Sequence, residues 1–253
     1  MAHANSDSFV IEFKLKTSYA DELYLQECFS AGQKIYNTLV CHCRKQLASL
    51  RQNKTYRDLL AKYHSLKGSR NQKTVSQQLS AMTAFFGLTE YSLHSLVKVQ
   101  QKRYKRYINS LTAQKIASAV WRGVEKVLYG NGKSLHFRKH TEFVSLEGKN
   151  NSTGLVFRDG VLKVNGRPIH AARHKRDGSA SRRYEEEALT HRVKYCRLVR
   201  RPVGSSWHYS EDEYNEAIAL AEKHKTIKEL FEGFSGEYVP EEMDWGIPVG
   251  KEI

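Results

Sequence analysis

The sequence predicts an α+β protein: a small β barrel with a helical bundle inserted after its first strand, then a short helical and extended acidic tail. Three observations lead there. Residues 9–16 (FVIEFKLK) alternate apolar and polar, as a half-buried strand does. Across residues 19–132 apolar positions recur every three to four residues, the spacing of helices. From residue 133 onward they fall in short runs between glycines, as in strands joined by tight turns. The expected segments are 1–18 for the first strand, 19–132 for the helices, 133–209 for the rest of the barrel and 210–253 for the tail.

Taken in order, Phe9, Ile11, Phe13 and Leu15 share one face of the first strand. Ser18 and Asp21 are spaced as a capping box. They open a helix whose Leu25, Phe29, Tyr36, Leu39, Cys43, Leu47 and Leu50 form one amphipathic face ending near Arg51. A shorter helix is expected over residues 56–66, then a polar basic loop at 67–73. Thr74 is expected to cap a third helix carrying Val75, Leu79, Met82 and Phe86, ended by Gly87. Thr89 caps a fourth, with Tyr91, Leu93, Leu96 and Val97, running on into residues 101–107 (QKRYKRY). Thr112 caps the last, with Ile116, Val120, Val124 and Val127 as its stripe. Gly130-Asn131-Gly132 stops it, glycine taking the left-handed C-terminal position without steric cost.

Residues 134–140 are short, basic and aromatic, and read as the entry into β structure. Residues 143–146 and 154–157 read as a hairpin around a turn at 147–151. Asp159-Gly160 and Asn165-Gly166 supply two-residue turns around the strand 161–164, and 167–170 continues the pattern. Residues 171–183 (AARHKRDGSASRR) read as a basic loop that nucleic acid orders on binding. Residues 193–200 alternate again, and 202–206 turn the chain into Trp207-His208-Tyr209. Together with the first strand these segments suit one OB-like barrel, a shape that commonly binds oligonucleotides on an open face.

Charge narrows the function. The chain has 41 Lys and Arg against 27 Asp and Glu. Residues 210–253 hold 12 of the acids and 4 of the bases, so residues 1–209 carry a net +22. Such a surplus repels itself unless a polyanion neutralises it, and nucleic acid is the commonest one. A membrane surface is the rival, but no long apolar segment or signal-peptide pattern is present. Four cysteines (Cys28, Cys41, Cys43, Cys196) suggest reduced thiols of the cytoplasm rather than a disulfide framework. Cys41-His42-Cys43 lies inside a helical pattern, where residues two apart diverge, and no second pair completes a four-ligand set. No zinc and no cofactor is expected.

Lys98, Lys102, Lys105 and Arg106 gather near one side of the expected helix, with Arg103 beside them. These cations can neutralise phosphates, and Tyr104 and Tyr107 can pack or receive unstacked bases. The rival reading is a solvated helix face with two core tyrosines. Further candidate nucleic-acid contacts are Lys133, Arg138, Lys139, Arg173, Lys175, Arg176, Arg182, Arg183, Arg200 and Arg201.

The first strand, the helical insert, AQKIASAVWRGVEKVLYGNGKSLHFRKH (113–140) and KYCRLVRRPVGSSWHY (194–209) together resemble the N-terminal half of TnpB/OrfB proteins. These are transposon-encoded, RNA-guided DNA nucleases, and the resemblance spans about residues 8–209. It implies that the barrel is a wedge domain and the helices a recognition lobe, holding a structured guide-type RNA and DNA. It also implies a bacterial cytoplasmic protein associated with the nucleoid. In that family cleavage belongs to a following RuvC domain, whose separated carboxylates hold Mg²⁺ ions. Here the 44 residues after Tyr209 show no matching carboxylate strand, so binding without catalysis is expected.

The tail carries a second resemblance. Ser210 with Glu213, and Thr226 with Glu229, are capping-box spacings. Residues 226–253, with Asp244-Trp245-Gly246 and Pro248-Val249-Gly250, resemble the C-terminal tail of MazE-like antitoxins. That likeness implies docking of Leu230, Phe231, Phe234, Tyr238, Trp245 and Val249 on a MazF-like ribonuclease toxin. The alternatives are an antitoxin anchored by its basic half and a decayed transposase fragment fused in frame. A tail folded back on the basic body is a further reading.

Overall fold

Ser18 does open the longest element, as its spacing from Asp21 predicts. In the computed structural model, which describes residues 9–130, 132–172 and 180–201, both halves of the capping box form. From there α1 (Tyr19–Gln52) runs for 34 residues. Its predicted face is buried at Phe29, Leu39, Cys43, Leu47 and Leu50 and half-buried at Leu25 and Tyr36. Asn53 then ends α1 and caps α2 (Lys54–Ser65), its side chain accepting from the Tyr56 N–H.

Three caps differ from expectation. The third helix, α3 (Gln72–Phe85), starts after Asn71, so Thr74 lies inside it; Val75 and Leu79 are its buried residues as predicted. Thr89 caps α4 (Glu90–Arg103) as expected, but Tyr91 is 82% exposed rather than on the apolar face. The fifth helix, α5 (Ser110–Tyr129), is capped by Asn109, whose Oδ1 accepts the Thr112 N–H at 2.7 Å. Thr112 is one turn inside the helix and buried. At the other end Gly130 is extended (φ −123°, ψ −156°), not left-handed. Close approach explains the glycines here, since a Cβ on Gly132 would meet the Lys126 carbonyl carbon at 2.9 Å.

Among the described residues the β part forms two separate sheets. β1 (Lys14–Lys16) pairs antiparallel with β5 (Arg167–Ala172), so α1 to α5 follow the first strand and lie in sequence between two strands that pair. β4 (Val161–Val164) pairs with β5, and β3 (Leu155–Arg158) with β4, giving the order β1-β5-β4-β3. Asp159 (φ 51°) with Gly160 (φ 78°), and Asn165 (φ 50°) with Gly166 (φ 91°), make the two predicted two-residue turns. The described ladder of the first strand begins at Lys14, which faces Ala172. Pairing beyond it would need residues 173 onward, which lie outside the described residues.

The expected hairpin of 143–146 with 154–157 does not form. β2 (Ser145–Glu147) pairs instead with β6 (Arg197–Val199) as a separate two-stranded sheet. The free edge of β3 is occupied by a side chain. Asn151 accepts the Phe157 N–H at 2.7 Å and donates to the Phe157 carbonyl at 3.0 Å, as a neighbouring strand would. Residues 134–139 form no strand, and Ala180–Thr190 is a helix, α6, where part of a loop was expected. Among the described residues the two sheets do not close into a barrel.

The described residues belong to one compact unit, Met1–Arg201. Its core runs from Ile35, Leu39 and Leu50 of α1 through Leu93 and Val97 of α4 to Ile116, Val120 and Val124 of α5. Leu146 of β2 and Leu162, Val164 and Ile169 of the larger sheet complete it.

Candidate nucleic-acid interface

The basic run at 98–107 is broken by its own tyrosines. Tyr104 ends α4, and the chain turns sharply as the N–H groups of Tyr107 and Ile108 both donate to its carbonyl. Ile108 is buried, and Gln101 Nε2 donates to its carbonyl at 2.8 Å. Tyr104 and Tyr107 are half-buried and packed against the core. Tyr107 lies 5.8 Å from Tyr24, and Arg106 covers it from 5.6 Å. Asn165 Nδ2 donates to the Tyr107 carbonyl, and the Tyr24 hydroxyl to the Arg106 carbonyl. Lys98, Lys102, Arg103, Lys105 and Arg106 remain exposed around this turn.

Beside it Arg167 pairs with Asp21 at 2.7 Å and lies 5.2 Å from the Tyr24 ring. Hydrogen bonds from Ser18, and after them Arg167, hold the Asp21 carboxyl below its usual value. Arg167 is therefore a structural cation that ties β5 to the start of α1.

The second cationic surface lies along α1. Residues 133–140 run beside that helix without regular structure of their own. Gln33 Nε2 and Asn37 Nδ2 both donate to the Arg138 carbonyl, at 2.8 and 3.0 Å, and Asn37 Oδ1 accepts its N–H at 2.9 Å. This clamp places Arg138 4.5 Å from the Tyr36 ring, while Arg44 sits 5.2 Å from Phe137. Arg200, just past β6, lies 5.2 Å from the Phe29 ring and donates to the His140 carbonyl. Lys133 and Lys139 are exposed on the same segment.

Phe29, Gln33, Tyr36, Asn37, Arg44 and Phe137 escaped the sequence reading as members of a site. A signal was present: Gln33, Asn37 and Arg44 flank the apolar face of α1, a position where amides serve as clamps for a passing backbone.

The remaining candidates divide. Arg183 is exposed on α6. Arg201 pairs with Glu12 at 2.5 Å. Arg173, Lys175 and Arg176, the Arg182 side chain, and the tail residues Leu230, Phe231, Phe234, Tyr238, Trp245 and Val249 lie outside the described residues. Lys115 and Arg197 converge on Glu147, at 2.5 and 2.8 Å, and tie α5 and β6 to β2. Burial raises the Glu147 pKa, but the hydrogen bonds from those two cations outweigh it and the net shift is downward.

One cluster has residue types suited to nucleophilic catalysis. Ser118 donates to Glu90 Oε1 at 2.5 Å and lies 3.0 Å from His94 Nε2, at the edge of an open cavity of about 400 Å³. The carboxylate approaches the same Nε2 at 3.7 Å, however. A base needs its acid on the opposite ring nitrogen to be oriented toward the serine. The cluster therefore ties α4 to α5 and lacks a relay geometry. Among the described residues no three His, Cys, Asp or Glu side chains gather to hold a metal ion, and no helix is long and apolar enough to cross a membrane.

No family model matches the chain, and neither a curated protein nor a solved structure matches it.

Proposed function

We propose that this chain is a TnpB-like protein that binds a structured guide-type RNA and, through it or directly, a DNA duplex, without cutting either. In this reading it acts as an RNA-guided repressor: base pairing selects the sequence while the protein holds backbone and shape. The observation that carries it is positive charge left without carboxylate partners. The described ion pairs engage Arg167, Lys115, Arg197 and Arg201. Among the described residues they leave Lys98, Lys102, Arg103, Lys105, Arg106, Arg44, Arg138 and Arg200 without one. The insertion of five helices between β1 and β5 supports the same reading, since it is the arrangement that the resemblance implies. The two open sheets would then stand where that family has its wedge barrel.

The test is to purify the full chain at moderate salt and sequence the RNA it retains. One structured RNA species is expected; no RNA, or a random sample of cellular RNA, overturns the proposal. Replacing Lys102, Arg103, Lys105 and Arg106 together by Ala should weaken binding and flatten its dependence on salt.

A second reading, an antitoxin, rests on the acidic tail and its spaced aromatics. Acids can occupy phosphate sites of a ribonuclease while Trp245 and Phe231 fill apolar pockets beside them. The isolated peptide 227–253 should then inhibit a MazF-like toxin cleaving a fluorescent RNA. Trp245→Ala should weaken inhibition about thirtyfold, the cost of a central aromatic anchor of roughly 2 kcal/mol. Glu241→Ala, a change at a hydrated rim, should matter far less. No inhibition at high micromolar peptide removes this reading.

A further inference from the structure

We propose that three guanidinium–aromatic pairs along α1 form a track for the phosphodiester backbone of one nucleic-acid strand, about six to seven nucleotides long by the spacing argued below. The proposal rests on the nucleic-acid reading and deepens it by naming the face and the chemistry. Arg200 stands over Phe29, Arg138 over Tyr36, and Arg44 beside Phe137, at 5.2, 4.5 and 5.2 Å. Phe29, Tyr36 and Arg44 are seven and eight residues apart and fall within about 80° of arc on one helix. At about 1.5 Å per residue the rungs stand roughly 10 to 12 Å apart, and the row spans about 22 Å. One strand advances about 3.4 Å per nucleotide, so each arginine meets roughly every third phosphate.

Stacking makes these arginines suited to the task. A guanidinium held near a ring loses little further freedom when its free N–H groups meet a phosphate. Arg200 already gives one N–H to the His140 carbonyl and has the remaining ones for that contact. Arg138 is held further by the Gln33 and Asn37 clamp on its backbone. Among the described residues none of the three is paired with a carboxylate. Phe29 is buried and Tyr36 half-buried, each with an arginine near its ring, so bases find little to stack on except Phe137, which is 46% exposed. The track therefore grips the backbone and is indifferent to sequence. The competing role is structural: the pairs would merely pin residues 133–140 to α1.

Salt dependence separates the two roles, because a structural pin releases no counterions. Full-length protein is titrated with fluorescent RNA of ten nucleotides, RNA of three, DNA of ten and a ten-base-pair RNA duplex, each across a range of salt. For the ten-nucleotide RNA, changing Arg44, Arg138 and Arg200 together to Gln should lower the log–log salt slope by about 2, at roughly 0.7 per phosphate lost. Binding of the three-nucleotide RNA should be weak and little changed. The DNA arm tells whether the track discriminates the sugar. Arg44→Gln alone, an exposed position that the fold does not need, should lower the slope by about 0.7 with an unchanged melting temperature. Lysine at the three positions should keep the slope and lose affinity. An unchanged slope in both the triple and the single variant overturns the track, as does an effect confined to the duplex. If the Lys102/Arg103/Lys105/Arg106 variant loses RNA while the triple variant keeps it, the track falls and the binding reading stands. If wild-type protein binds no RNA, both fall.

Discussion

Glu147 receives Lys115 from α5 and Arg197 from β6, so one carboxylate joins three elements. Its folded pKa lies below its unfolded value. The stability it contributes is therefore complete above the unfolded carboxylate pKa and is lost as pH falls through the lowered one. Asp21, held by Ser18 and Arg167, has the same sign. Glu147→Gln should cost about 1 kcal/mol at pH 7 and shrink the acid-side loss, measured by thermal melts from pH 7 down to pH 3. Equal pH dependence in wild type and variant would refute the assignment. The cysteines make a second residue-scale case. Burial pushes Cys28 up to about 11 and Cys43 to about 12, whereas Cys41 is exposed. A thiol reagent at pH 8 should therefore label Cys41 quickly and leave Cys28 and Cys43 unreacted while the protein is folded. That divergence is the one predicted for Cys41 and Cys43 from helical geometry.

At the scale of elements, the contact between α1 and β2 depends on a missing side chain. A Cβ on Gly32 would meet Phe143 Cε1 at 2.7 Å and Leu146 Cδ2 at 2.9 Å. Gly32→Ala should therefore destabilise by about 1 to 3 kcal/mol, even though alanine favours the helix. A melting temperature at or above wild type would show that β2 shifts freely. Helices α1 and α3 to α5 were readable because each carries an apolar stripe, and a stripe of several turns tolerates an error in one cap; α6 carried no such signal and overlaps the expected loop. Their starts were less readable: α3 begins after Asn71, which makes no side-chain cap, rather than at Thr74, and Asn109 rather than the buried Thr112 caps α5. Strand partners were the least readable. Asp159-Gly160 and Asn165-Gly166 declare their hairpins locally, whereas β2 finds β6 fifty residues away.

For the whole molecule, charge is the dominant property. Among the described residues Asp21, Glu147 and Glu12 engage Arg167, Lys115, Arg197 and Arg201, while Lys98, Lys102, Arg103, Lys105, Arg106, Arg44, Arg138 and Arg200 have no carboxylate partner. With Mg²⁺ or Mn²⁺ the purified chain should leave single- and double-stranded DNA intact, with or without guide RNA. Guide-dependent cleavage by a preparation free of other proteins would overturn the non-cutting reading.

Composition and periodicity determined the α+β class, the helices and their apolar faces, the two tight turns and the positive charge, because each depends on residues adjacent in sequence or a few positions apart. Tertiary structure alone decided which cations are free. Arg201 finds Glu12, and Arg167 finds Asp21, across most of the chain, while Arg138 joins Arg44 on the α1 face through the Gln33 and Asn37 clamp and Arg200 joins them from the end of β6. Among the described residues it also arranged the strands as two sheets, and Asn151 bonds the Phe157 N–H and carbonyl at the edge of β3. Backbone hydrogen bonds must be satisfied but accept any partner, so the choice of partner is made by packing in three dimensions.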